Sequence, residues 1–371
     1  MDVRMRWLSF SLLIISLATV ACTEDPVPLY FSGNPRLELV RDSIVVVGQN
    51  GEIPSVQAAY VRPDGQAFIG GYESQEDGSD MYGMIWTLNT DRWESAMDAG
   101  MRGSLYGIQA LAASDFSSLW AVGARRPDSS SVILRRDGTT WTDVTPGTMV
   151  PVRDCHVVSD NNVWVYGGHS LLYHYANATW ETFELPVDSL GTDNLAVVSL
   201  VANDEALYVL TYLVPAQDST GRAILRYKND TWDVLYREGS IPGAQGTNRN
   251  LRTLLLNREG VLFVFGQIVY KLQGNSLERV FSPNPPADLL TGAVTPNGNI
   301  FGAGVNMKAI WTNYQTWHNV HVVSPLSVNF MDVGMNDSLV VLSGSHYYDV
   351  SESEYALESV VLRGILQREE R

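Results

Sequence analysis

Arginines are the residues of most chemical interest here, in a chain with 25 basic and 41 acidic side chains and a formal net charge of −16. Arg153 and Arg252 each stand seven residues before a polar residue that closes an apolar stretch, Asp160 and Glu259 respectively. Gln57 stands at the same distance before Asp64. Arg102 and Arg249 lie in neighbouring polar segments, and Arg125 and Arg126 directly follow an apolar run. Guanidinium groups gathered at one place grip carboxylates or sulfates through paired hydrogen bonds. The spacing therefore points to an anionic ligand, such as an acidic glycan or peptide. The competing reading is that each arginine pairs with a local acid such as Asp154. Tyr82, Tyr347 and Tyr348, in long polar segments, are further candidates for ligand contact.

Other chemistries find less support. The segment EDGSD places Glu76, Asp77 and Asp80 close together, a weak candidate for calcium through oxygen ligands. His318 and His321, three apart in an extended segment, fall on opposite faces, and no other metal pattern is present. No GxSxG, Cys/His arrangement or phosphate loop appears, and no cofactor is expected. The strongly acidic balance argues against nucleic acid as a partner. The expected role is binding of a protein, peptide or glycan. The alternative is a carbohydrate-active hydrolase or lyase using Asp77, Asp80, Tyr82, Tyr347 and Tyr348. With only Cys22 and Cys155, a disulfide-stapled framework is excluded. Cys155, in the apolar stretch VRDCHVVSD, is expected to be a buried thiol. A Cys22–Cys155 bridge becomes possible only if Cys22 carries no other modification.

The elements that must position these residues come from an internal repeat. An apolar strand ends at Asp64, Asp115, Asp160, Asp204, Glu259, Asn297 and Asp337 in turn. A second strand follows and ends near glycine. A third strand, a polar turn and a fourth strand come next, the last marked by Trp93, Trp141, Trp180, Trp232, Leu277 and Trp317. The period of roughly 40–50 residues suits four-stranded blades stacked around an axis. The expected fold is an all-β propeller over residues 37–371, most simply of seven blades, with six or eight as alternatives. The last unit lacks a fourth strand, and RLELVRDSIVV near the N-terminus lacks a partner. That segment is predicted to close the ring. The longest connections fall on one face: ESQEDGSDMYG, ARRPDSSS, VPAQDSTGR, REGSIPGAQGTNRN and SHYYDVSESEYA. Variation confined to one face marks a candidate binding surface.

The repeat resembles the kelch type, in which two glycines end the second strand and an aromatic precedes the tryptophan by seven places. Gly167, Gly168, Tyr173 and Trp180 match it, as do Gly70, Gly71, Trp86 and Trp93. The other units keep at most one glycine and replace the aromatic by Leu134, Leu225 and Ile310. The segment RDGTTW is similar to the Asp-box of sialidase-type propellers, off by one residue in spacing. Both resemblances imply a propeller, and neither implies one activity.

The N-terminus reads as an export signal. Arg4 and Arg6 precede the apolar run Trp7 to Val20, which is too short to span a bilayer comfortably. The segment LATVAC resembles the lipobox of bacterial lipoproteins, with Thr19 where the family usually has leucine. The resemblance implies cleavage after residue 21, acylation of Cys22, and a proline-rich tether over residues 22–36. An outer-membrane lipoprotein, periplasmic or displayed at the cell surface, is the expected location. Glu24 and Asp25 resemble the acidic signal that sends some lipoproteins to the surface.

Overall fold

A computed structural model of the chain describes residues 35–42, 53–74, 80–114, 118–147, 149–167, 169–190, 195–213, 221–238, 250–313, 315–337, 339–351 and 354–367. Within these, the side chains of residues 53, 54, 347–351 and 354–358 are not described. The described strands form seven sheets, six of four strands and one of five, antiparallel throughout except for one parallel pairing in the five-stranded sheet. Blades one to seven begin with the strands Ile53–Val61, Leu105–Ala112, Asp154–Ser159, Leu195–Ala202, Thr253–Leu256, Leu289–Val294 and Val328–Met335. These seven first strands together wall a central channel. The fold is thus a seven-bladed propeller, which removes the six- and eight-blade alternatives.

Closure uses both ends of the chain. Blade seven takes three strands from the C-terminal part, Val328–Met335, Leu339–Ser351 and Glu354–Gln367. Its fourth strand is Arg36–Arg41, in which Leu37 pairs with Leu366 and Val40 with Arg363. The segment His321–Val323 adds a fifth strand, parallel to Arg36–Glu38. The predicted closing strand is therefore in place. It hides an edge that would otherwise offer unpaired backbone groups.

A sheet with two apolar faces has to cover both, and each blade does so with its two neighbours. Seven apolar clusters lie at the seven blade-to-blade junctions. Ala110, Trp120 and Val122 of blade two meet Val157, Val163 and Val165 of blade three. Leu37, Val340 and Leu342 of blade seven meet Phe301, Ala303 and Trp311 of blade six. Val341 and Val361 of blade seven meet Trp86 and Trp93 of blade one.

The repeated tryptophans belong to this packing, each in the fourth strand of its blade. The Trp93 indole donates to Asp42, just after the closing strand, at 2.9 Å. Trp141 donates to the Ala96 carbonyl at 2.8 Å, and Trp180 to the Val144 carbonyl at 2.7 Å. Ala96 and Val144 each lie three residues after the tryptophan of the preceding blade. Each indole thus fastens the chain where it leaves the blade before, while its ring fills the gap between sheets. Among the described residues two single-turn helices, Ala99–Gly103 and Val187–Leu190, sit in connections between blades. With five and four residues they are too short to present an apolar stripe.

Leu37 is fully buried among blade-six and blade-seven side chains. Leu37→Ala is expected to lower stability by about 2–4 kcal/mol, read as a lower urea midpoint. An unchanged midpoint would show that the N-terminal strand does not hold the ring shut.

Candidate functional site

The channel has a volume of about 1470 Å³. Its mouth lies where the first strands begin, on the face of the long connections. Near this mouth the first strands carry a bulge. The register skips Gln57, Gln109, Val198, Leu290 and Met331 in blades one, two, four, six and seven. Arg153 and Arg252 occupy the same place in blades three and five. Their backbone N–H groups donate to the carbonyls of Tyr166 and Phe265, at 2.8 and 2.7 Å, at the ends of the second strands. All seven residues line the channel. A bulged residue is released from the ladder and its side chain is re-aimed. The mouth is therefore ringed by one side chain per blade.

The bulge also explains the glycines that end the second strands. A Cβ on Gly71 would lie 1.9 Å from the Ser55 carbonyl oxygen. On Gly123, Gly167 and Gly304 it would lie 2.1, 2.0 and 1.9 Å from the carbonyl oxygens of Gly107, Pro151 and Asp288. In each case that carbonyl lies two residues before the bulged residue. The bulge presses backbone against backbone, so no side chain fits opposite.

In blades four to seven the residue after the bulge ties blades together. Ser199 accepts from the Leu254 N–H at 3.0 Å, and Thr253 donates to the Leu290 carbonyl at 2.7 Å. Thr291 donates to Asp332 at 3.1 Å, and the other oxygen of Asp332 accepts from the Ala59 N–H at 2.8 Å. Asp332 thereby joins blades six, seven and one. Burial raises its pKa to about 7, with the carboxylate of Asp154 adding to the rise. Asp154 is also raised by burial, and accepts from the Tyr166 hydroxyl and the Cys155 N–H. Cys155 is buried, and its thiol is raised well above its usual range, first by burial and then by Asp154. It is a packed side chain and a poor nucleophile at neutral pH.

The arginines singled out by the sequence separate into two groups. Arg102 pairs with the buried Glu73. Arg125 pairs with Asp143 at 2.6 Å. Arg126 pairs with Asp80 at 2.8 Å and donates to the Met81 carbonyl at 3.1 Å. Tyr82 lies between Arg102 and Arg126, 5.6 and 4.8 Å from its ring centre. These groups knit the outer part of blades one and two. Arg153 and Arg252 are at the channel instead. The exposed Arg153 side chain makes no ion pair or hydrogen bond among the described residues. Arg252 is 3.9 Å from Asp288, whose nearer bond, at 2.7 Å, comes from Asn250.

Between them, in blade four, the channel wall adds Tyr212 and Arg222. The Arg222 guanidinium lies 4.2 Å from the Tyr212 ring centre and donates to the Leu251 carbonyl at 3.3 Å. Burial lowers its pKa, the buried Glu238 opposes that, and the charge of Arg252 adds to it. Blades three to five thus form a basic arc. No repeat position in the sequence marks Arg222 or Glu238, and the place of Asp332 is defined only by the bulge before it. Four of the ring residues were hidden because Gln109, Val198 and Met331 sit six, not seven, residues before their anchors, and Leu290 carries no charge.

Several candidates fall elsewhere. Arg249, Glu76, Asp77 and Cys22 lie outside the described residues, as do the side chains of Tyr347 and Tyr348. Asp80, the remaining calcium candidate, holds Arg126 and accepts from Tyr82 at 3.3 Å. His318 and His321 stand in two separate strands, Trp317–Asn319 and His321–Val323. No metal-like cluster of three His, Cys, Asp or Glu residues occurs among the described residues.

No protein-family model matches the sequence, and no curated protein sequence matches it significantly. Solved structures do resemble it. YCF48 bound to D1 peptide superimposes with a TM-score of 0.57 at 11% identity, over 90% of this chain and 99% of that one. The WD40 propeller domain of Doa1 gives 0.54 at 12% identity, over 91% and 98%. A puromycin-hydrolyzing peptidase from Mycobacterium tuberculosis gives 0.53 at 14% identity, over 82% and 52%. At such identities the likeness shows the propeller fold.

Asp332 keeps its proton to about pH 7 in the folded chain and releases it near pH 4 when unfolded. The folded state binds the extra proton between those values, so this group's contribution to stability falls as pH rises through that window. Asp332→Asn is expected to gain about 2 kcal/mol over the parent at pH 8 and little at pH 4, by urea denaturation, after allowing for water in the channel. A difference that stays constant with pH would refute the shift.

Proposed function

We propose that this chain is an exported, lipid-anchored propeller that binds a protein, peptide or glycan through an anionic group at the channel mouth. The observation that carries the reading is the pair Arg153 and Arg252, equivalent ring positions whose guanidinium donors are lightly used. A rigid ring that displays one variable side chain per blade is a binding scaffold. The peptide held by YCF48 and the WD40 neighbour lend support.

The topology suits an anchor at Cys22. The strand Arg36–Arg41 starts opposite Gln367 and runs toward the mouth face, antiparallel to Glu354–Gln367. Its first residue is thus on the face away from the mouth. A tether over residues 22–36 reaches about 50 Å at most, at roughly 3.3–3.6 Å per residue. An acylated Cys22 then holds the propeller at an envelope membrane with its mouth turned outward.

The double variant Arg153→Ala/Arg252→Ala is expected to weaken capture of acidic peptides or carboxylated glycans at least about tenfold while the urea midpoint is unchanged. Equal capture by parent and variant would sink the reading. Cys22→Ala, expressed in a bacterium with lipoprotein processing, should lose metabolic labelling by palmitate and leave the detergent phase. Persistent labelling would place the lipid elsewhere.

A further inference from the structure

The ring at the mouth is asymmetric, and the asymmetry names the ligand more narrowly. In ring order its residues are Gln57, Gln109, Arg153, Val198, Arg252, Leu290 and Met331. Two cations flank Val198. Immediately beyond Arg252 come two large apolar side chains, Leu290 and Met331. Met331 is 52% exposed although it lies within a strand, one of four large apolar side chains so exposed among the described residues. The other three, Val40, Val323 and Ile365, belong to the outer strands of blade seven, away from the channel. The bulge holds Met331 toward the channel and keeps it from burying itself between blades.

Deeper in, the wall is mixed, with Val201, Leu255 and Ala293 beside the polar Ser199, Thr291 and Asp332. At the mouth itself the charged arc of blades three to five adjoins the apolar pair Leu290 and Met331 of blades six and seven. A purely anionic ligand leaves the apolar arc wet, and a purely apolar one leaves the guanidinium groups without partners.

We infer that the mouth captures the C-terminus of a polypeptide whose last residue has an apolar side chain. This rests on the reading of the mouth as an anion-binding site. A chain terminus carries a carboxylate and a side chain on one carbon, so both arcs are met by a single residue. Arg153 and Arg252 take the carboxylate as hydrogen-bond donors, and Leu290 and Met331 cover the side chain. Small-molecule pockets run to about 300–1,000 Å³, and the channel at about 1470 Å³ exceeds that range. It has room for the residues that precede the terminus.

The test uses the full chain in detergent and fluorescein-labelled octapeptides read by anisotropy. The set ends in Leu, Phe, Gly or Lys, each as free acid and as amide. A further amidated peptide carries internal Asp and Glu, and carboxylated glycans complete the set. The expected result is that the Leu and Phe free acids bind at least about tenfold more tightly than their amides and than the Gly and Lys acids. Arg153→Ala/Arg252→Ala should remove the preference for free acid over amide. Met331→Ser should remove the preference for Leu over Gly while leaving the acid-over-amide preference. Arg153→Lys, which keeps the charge, should retain part of the binding and guards against a folding artefact. If the internally acidic peptide or the glycans bind in an arginine-dependent way and the termini show no preference, the inference fails and the anion site stands. If nothing binds in a way that depends on Arg153 and Arg252, both fail.

Discussion

The structure depends on one requirement: every sheet is apolar on both faces, and both faces have to be covered. A lone four-stranded sheet cannot meet it, and two sheets face to face leave two faces wet. Seven sheets in a ring meet it with seven equivalent junctions, each an apolar cluster shared by two blades. The same requirement decides what the chain ends do. A ring with an open blade has a wet junction and a bare edge, so the strand Arg36–Arg41 is drawn in beside Glu354–Gln367. Covalent distance along the chain, over 300 residues, is no obstacle because loop-closure entropy grows only slowly with length.

The site follows from how the ring meets its axis. First strands converge on the channel, and the bulge near the mouth lets each give one side chain to it without breaking the sheet behind. The price of the bulge is a carbonyl driven against the second strand, which is why glycine recurs there. Fold and site are thus coupled at the backbone. The scaffold holds the bulge and the glycine, and identity at the bulged position is left free, as Gln, Arg, Val, Leu and Met there attest.

Charge in this acidic chain is sorted by position. Arg102, Arg125 and Arg126 are met by acids within their own blade or its neighbour, and they brace connections. Trp93, Trp141 and Trp180 do similar work with their indole N–H groups. At the channel the half-buried carboxylates Asp154 and Asp332 are each occupied by a hydroxyl and a backbone donor. They leave Arg153 and Arg252 comparatively unanswered. Basic character at the mouth thus arises inside a molecule of net charge −16, from which acids have been drawn off into structural roles.

The architecture was legible in the sequence because each blade repeats the same local events. A strand of apolar residues stops at a polar turn, and a tryptophan marks the fourth strand, so period and blade count could be read by comparison within the chain. The closing strand was legible as a remainder, RLELVR without a partner facing a unit one strand short. The equivalence of Gln57, Arg153 and Arg252 could also be counted. The complete ring could not, because inner strands differ by one residue in length between bulge and turn, and Gln109, Val198 and Met331 shift accordingly. Which arginines are engaged was decided only in three dimensions. Glu73 and Arg102 are 29 residues apart in sequence, and Asp80 and Arg126 are 46 apart, yet the first pair ties blade one to the connection leaving it and the second joins blades one and two. Sequence determines what a blade is, since strand, turn and packing are local matters. The tertiary ring decides which side chains share the mouth, since that depends on sheets meeting at an axis that no single repeat contains.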